Sequence, residues 1–189
     1  MATDPYASGV LVKEHHDRLV ADLDNFARDA GIQSRWIYAP LPDTVTEGER
    51  AYLKAFRAHC ASGAVAGLCY TKKAKLYLPV DQYMSAIAGC LVRNFVRARV
   101  MTLGSVLDHQ SAGTMPDLTC LLIPNFFHPV AEGGTIAPWQ VSALHDLLVA
   151  RRVAGQQTIV YAADLNLLAK EYGLALRDVV VDNYRLIGA

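Results

Sequence analysis

The sequence predicts an α/β domain of three layers, a parallel sheet between two layers of helices. Three observations lead there. From residue 64 onward, short apolar runs alternate with segments of helical periodicity, the pattern that winds a parallel sheet. Two of those runs, DLTCLLIPNFF (117–127) and QTIVYAA (157–163), are apolar without alternation, as strands covered on both faces are. Two of the helical segments run into glycine, Gly155 and Gly173, the residue that stops helices.

The elements follow in order. Residues 10–30 repeat Val12, His16, Leu19, Leu23, Phe26 and Ala30 at three- and four-residue steps and stop at Gly31, which predicts one amphipathic helix. Residues 1–31 then form a helical arm ahead of a domain at 32–189, and its stripe of Leu19, Leu23 and Phe26 suits either its own domain or a partner's groove. Residues 32–48 hold Pro40, Pro42 and turn residues and are expected to be extended. In TEGERAYLKAFRAHCAS, Thr46 and Glu49 stand at capping-box spacing, with Tyr52, Phe56 and Cys60 on one stripe of the helix. AVAGLCY (64–70) predicts a buried strand. VDQYMSAIAGCLVRNFV (80–96) predicts a helix, 99–103 a strand, and the segment after it a helix. Helices at 139–155 and 165–173 flank the strand at 157–163.

With 189 residues the chain can bury one core, and 52% of it is hydrophobic. No apolar run nears the roughly 18–20 residues that span a bilayer, and the N-terminus lacks the basic and apolar blocks of a signal peptide. A cytoplasmic protein with no membrane partner is expected. Lys and Arg number 18 and so do Asp and Glu, which excludes nucleic-acid binding driven by bulk charge alone. Cys60, Cys69, Cys90 and Cys120 are far apart among apolar residues, and the six histidines are scattered. Free thiols and no metal site are expected.

The order of pieces resembles a family. AGIQSRWIYAPL, then a helix, then GLCY is similar to the start of the ATPase domain of DnaC/IstB-type AAA+ proteins, the bacterial and phage helicase loaders and transposition helpers. SAIAGCLVRNFVRARVMTLGSVLD, DLTCLLIPNFF and ALHDLLVARRVAGQQTIVYAADLNLLAKEYGLALRD resemble the family's later segments in the same order. The likeness covers roughly residues 30–189. It implies a P-loop NTPase fold and a place in DNA replication.

The family's chemistry is missing from these segments. A phosphate loop needs G-x-x-x-x-G-K-[ST], glycines for close backbone approach, a lysine for the phosphates and a hydroxyl for magnesium. Here the loop reads TKKAKLYLPVDQ, with no glycine. Leu76, Tyr77 and Leu78 would crowd the cradle, and Pro79 has no N–H. Lys72, Lys73 and Lys75 are the cations left to meet a nucleotide. The strand that should end in two acids ends in Pro124-Asn125, and an amide neither holds magnesium nor polarises water. The Thr-Asn expected after TIV is Tyr161-Ala162-Ala163-Asp164, and the arginine expected near Val179 or Val180 is displaced to Arg177 or Arg185.

The remaining constellations carry less. Ser142, His145 and Asp146 sit on a helix with no nucleophile elbow. Arg93, Arg97 and Arg99 beside Phe95 suit phosphates and one stacked base, and Arg151-Arg152 sit where family arginines face DNA or a neighbouring subunit. The expectation is therefore a catalytically inactive helicase-loader-like adaptor without cofactor. It would bind a replicative helicase or loader ATPase through the arm, DNA being a further partner and self-association into a homo-oligomer an added possibility. The alternatives are a divergent ATPase using ATP and magnesium, or an inhibitor that mimics a loader subunit.

Overall fold

The computed structural model describes residues 12–132 and 136–188. Its centre is a five-stranded, all-parallel sheet in the order β2-β3-β4-β1-β5. The strands are β1 (Gly67–Tyr70), β2 (Ala98–Val100), β3 (Cys120–Phe127), β4 (Gln157–Ala162) and β5 (Tyr184–Ile187). Helices α1 (Lys13–Ala21), α2 (Leu23–Ala30), α3 (Arg35–Tyr38), α4 (Glu47–Lys54) and α5 (Phe56–Ser62) precede β1. α6 (Val80–Arg93) joins β1 to β2, and α7 (Leu103–Ser111) joins β2 to β3. α8 (Pro138–Val153) leads to β4, then α9 (Leu165–Tyr172) and α10 (Leu174–Asn183) lead to β5.

The connection from β1 to β2 crosses the sheet in one direction and the other three run in the opposite direction. Right-handed crossovers then place α6 on one face and α7–α10 on the other. The period-two alternation of strand side chains fills both cores. Leu68, Tyr70, Cys120, Leu122, Ile159 and Tyr161 pack towards α1–α6. Cys69, Leu121, Ile123, Val160 and Ala162 pack towards α7–α10. That double coverage is why the runs at 117–127 and 157–163 read as unbroken hydrophobic sequence.

The expected helix over 10–30 is two helices that meet at Asp22, whose backbone leaves the helical region at φ −125° and ψ 26°; positions 10 and 11 lie outside the described residues. Gly31 caps α2 at φ 66°, and a Cβ there would stand 2.6 Å from the Val100 carbonyl oxygen. The segment at 32–48 is not wholly extended. Arg35–Tyr38 makes one helical turn that buries Ile37, too short for periodicity to reveal. The helix read from Thr46 onward breaks at Ala55 into α4 and α5. β5 was not assigned from sequence, because YRLI follows α10 with no turn signal.

Two details fix α6. At Gly89 a Cβ would lie 2.0 Å from the Trp36 carbonyl oxygen, so helix α3 sits on bare backbone. At its end the Phe95 N–H donates to Val92 and the Val96 N–H to Leu91, a Schellman closure. The left-handed residue there is Phe95, at φ 56°, where glycine is usual. Its ring meets Phe26 edge-on at 6.0 Å and His15 at 5.2 Å, contacts with α1 and α2 that offset the backbone strain.

Gly89→Ala is expected to destabilise the protein by about 1–3 kcal/mol through overpacking against α3. Gly104→Ala, with nothing within 4 Å of the added methyl, should be neutral or stabilising by up to about 1 kcal/mol. Urea unfolding midpoints of both variants check the contrast.

Candidate functional site

In open α/β sheets, ligands bind outside the carboxyl ends of the strands, where connections diverge to opposite faces. Here that place is the loop 71–79 between β1 and α6. The loop has turned inward on itself. The N–H groups of Thr71 and Lys72 donate to the Ile187 and Ala163 carbonyls, both at 3.1 Å, and those of Ala74 and Leu76 donate to Thr71 and Ala74, both at 2.9 Å. The Lys73 N–H donates to the Thr71 hydroxyl at 3.3 Å, and that hydroxyl donates to the Gly188 carbonyl at 2.5 Å. Gly188, at φ 77°, crosses so close that a Cβ on it would lie 2.2 Å from the Ala74 nitrogen. Leu76 and Leu78 pack into the core, whereas Tyr77 is 77% exposed. A phosphate cradle presents converging backbone N–H groups; in this loop five of them already serve the chain's own oxygens. α6 opens after Pro79 with Asp81 in its first turn, a charge that opposes an anion at that helix end.

The end of β3 is equally committed. Between Ile123 and Phe127 the register with β4 shifts, and Pro124 lies within that irregularity, a usual location for proline in a sheet. Asn125 Oδ1 accepts from the Leu103 N–H at 2.8 Å and so holds the start of α7. Lys72 Nζ reaches Glu132 Oε1 at 3.0 Å. The hydrogen bond and charge of Glu132 raise the lysine pKa and keep it protonated. The His128 ring stands 5.6 Å from that of Tyr161. Asp164 caps α9, its Oδ1 accepting from the N–H groups of Asn166 and Leu167 at 2.7 and 3.0 Å. Above these lies an open crevice of about 470 Å³, with Lys72, Lys73 and Arg177 on its wall opposite Glu132 and Asp164. Arg177 itself pairs with Asp178 at 2.7 Å. Among the described residues no group of three or more His, Cys, Asp or Glu is placed to hold a metal ion, and no helix is long and apolar enough to cross a membrane.

The other residues singled out in the sequence occupy separate places. Leu19 is 3% exposed, and Leu23 and Phe26 pack against the same core, so the stripe expected to meet a partner is turned onto the chain's own α6 side. Arg93 donates to the carbonyls of Ile37 and Ala39 at 2.8 and 3.1 Å and closes the end of α3. Arg97 pairs with Asp117 at 2.7 Å on the surface. Arg99 lines a cavity of about 550 Å³ beside β2, which also holds Arg18, Asp29 and Asp117. Arg151 is 4% exposed. It donates to Thr158 Oγ1, Gln156 Oε1 and the carbonyls of Leu118 and Gln157, at 2.8–3.2 Å. Burial lowers its pKa, and it is a structural clamp with no DNA-facing surface. Arg152, next to it, stays on the outer face of α8 beside Val149 and Val153. The five arginines therefore form no single basic strip. Lys75 lies on the exposed loop and shares no ion pair among the described residues.

What sequence reasoning missed lies beneath the loop. Glu49, 1% exposed, accepts from the phenols of Tyr70 and Tyr83 at 2.7 and 2.8 Å and from the Thr46 N–H and hydroxyl at 2.8 and 2.6 Å. The capping box announced the Thr46 half. Nothing in the spacing announced that the last residue of β1 and the first turn of α6 would supply two phenols.

Arg151→Ala is expected to cost about 3 kcal/mol or more, because the Leu118 and Gln157 carbonyls lose a charged donor. Arg152→Ala should stay within about 0.5 kcal/mol, and chemical denaturation of both variants checks this. A second expectation concerns alkaline stability. Burial raises the phenol pKa of Tyr52, Tyr70, Tyr83 and Tyr184 above the ordinary 10.0, and Glu49 adds to the shift at Tyr70 and Tyr83. A raised phenol contributes stability that is whole below the unfolded value and is lost as pH climbs towards the folded one. Burial likewise pushes the Cys69 and Cys120 thiols up from 9.0 to about 12, so unfolding free energy should hold up to about pH 9 and fall above it with a slope of more than one proton, measured by urea titrations from pH 8 to 11.

No protein-family model matches the chain, and no curated protein matches it.

Proposed function

We propose that this protein is a non-hydrolysing, helicase-loader-like AAA+ protein that acts as an adaptor in DNA replication, binding a replicative helicase or its loader ATPase. The observation that carries the inactive part of this reading is the loop 71–79. Its backbone donors serve the chain's own oxygens, its leucines pack against the core, and Gly188 crosses over it. The strand order 2-3-4-1-5 and the resemblance of the segments at 30–189 support the loader-like part. The divergent-ATPase alternative would need Lys72 released from Glu132 and an acid where Asn125 now holds α7. An inhibitor that mimics a loader subunit would use the same partner and differ only in its effect on unwinding.

Two measurements test the proposal. A fluorescent ATP analogue with magnesium should show no saturable binding, and the protein no ATP turnover; turnover abolished by Lys73→Ala would replace the adaptor with an ATPase. Mass photometry with the host's replicative helicase should show one defined complex, formed equally with and without ATP. A complex that requires ATP would contradict the inactive site, and its absence in both conditions would remove the helicase as partner.

A further inference from the structure

Between α4, α5 and α6 runs a groove of about 430 Å³. Its apolar floor is reached at Leu41 and Leu53, which are half-buried, above the buried Phe56, Leu91 and Val96, and three cations line it, Arg50, Lys54 and Arg57. No aspartate or glutamate lines it. In a chain whose charges balance at 18 and 18, that is a local segregation of sign. Nor are these cations neutralised from nearby, since among the described residues none of the three has a carboxylate within ion-pair distance. Two other crevices differ. Beside β2 the arginines share their cavity with Asp29 and Asp117, and above β1 the lysine Lys72 is held by Glu132. Arg50 and Lys54 are four residues apart on α4 and so project from one side of that helix. Arg57 is fixed in place, donating to the Asn94 carbonyl at 3.1 Å.

We propose that this groove is the docking site for an acidic, amphipathic segment of a partner protein, its apolar side chains on the floor and its carboxylates on the three cations. Charge complementarity selects the acid, and the apolar floor selects a segment that carries hydrophobic side chains. Nucleic acid suits the groove less well, because Phe56 is 3% exposed and offers no open face for a base to stack on. A membrane surface suits it less well because the site is concave, whereas interfacial binding uses a protruding apolar face. The inference rests on the adaptor reading for its partner and supplies the surface that Leu19, Leu23 and Phe26, packed on their own domain, do not.

Cys90 lines the groove and is half-buried, so its alkylation rate, read by mass spectrometry of its peptide, reports occupancy. The probe is a synthetic amphipathic helix of roughly 16 residues with leucines at helical spacing and glutamates elsewhere; its twin carries lysines for the glutamates. With the full chain, the glutamate peptide should bind saturably by fluorescence anisotropy, slow Cys90 alkylation, and weaken as salt rises. Arg50→Glu with Lys54→Glu should weaken it about tenfold or more while leaving the melting curve unchanged. The proposal is overturned by equal binding of the lysine twin, by no protection of Cys90, or by protection from phosphatidylserine vesicles or a thymidine oligonucleotide alone. The same double variant separates the two readings. A helicase complex that ignores it removes the groove and leaves the adaptor. Peptide binding without any helicase complex keeps the groove and removes that partner.

Discussion

A single carboxylate ties together the elements around the first strand. Glu49 is buried with no cation paired to it among the described residues, and it is tolerable there because four donors from three elements converge on its two oxygens. An ionised carboxylate without such donors would cost several kcal/mol, and hydrogen bonds to a charge are each worth about 1.5–3 kcal/mol. The donors come from the start of α4, the end of β1 and the first turn of α6. Satisfying Glu49 therefore sets the angle at which β1 hands over to α6, and with it the course of the loop between them. Tyr70 and Tyr83 also stack edge-on at 5.6 Å, so the two phenols hold each other in the geometry the carboxylate requires.

Next to that constraint lies the loop 71–79, which is closed on itself. A loop that binds phosphate must keep its backbone donors unspent and its side chains small. Here Leu76 and Leu78 pack against the core, and the backbone from Thr71 to Leu76 is spent on the chain's own oxygens. At the end of β3 the Asn125 amide is likewise used internally, to hold the start of a helix. The backbone donors of the loop, Lys72 and Asn125 each have an internal partner. In the groove between α4, α5 and α6, by contrast, three cations stand over an apolar floor with no acid beside them.

The fold was legible where the physics is periodic or local. The unbroken runs at 117–127 and 157–163, the capping box at Thr46 and Glu49, and the stop at Gly31 all read directly. The break at Asp22, the single turn at Arg35–Tyr38 and strand β5 did not, since a short element is defined by what it packs on and carries little pattern of its own. The candidate site divided in the same way. That the loop 71–79 holds no glycine was visible, as was the amide at Asn125. The fates of Arg93 and Arg151 were not, because whether an arginine faces solvent or satisfies buried carbonyls depends on residues far away in sequence, such as Ile37 for Arg93. The stripe of Leu19, Leu23 and Phe26 was correctly apolar, but periodicity cannot say which surface an apolar face meets.

The position of β1 has a consequence for how the chain is made. Its two sheet neighbours are β4 and β5, whose residues are synthesised long after its own. At about 5–20 residues per second, β1 waits roughly 5–20 s on the ribosome before β4 emerges beside it. In that interval helices are made first for the face of Leu68 and Tyr70, the face of Cys69 waits for elements made later, and both edges of the strand are unpaired. Nascent chains in this state are open to chaperones and to one another. Yield in a cell should therefore respond to the rate of translation between residues 70 and 157 even where the finished protein's stability does not.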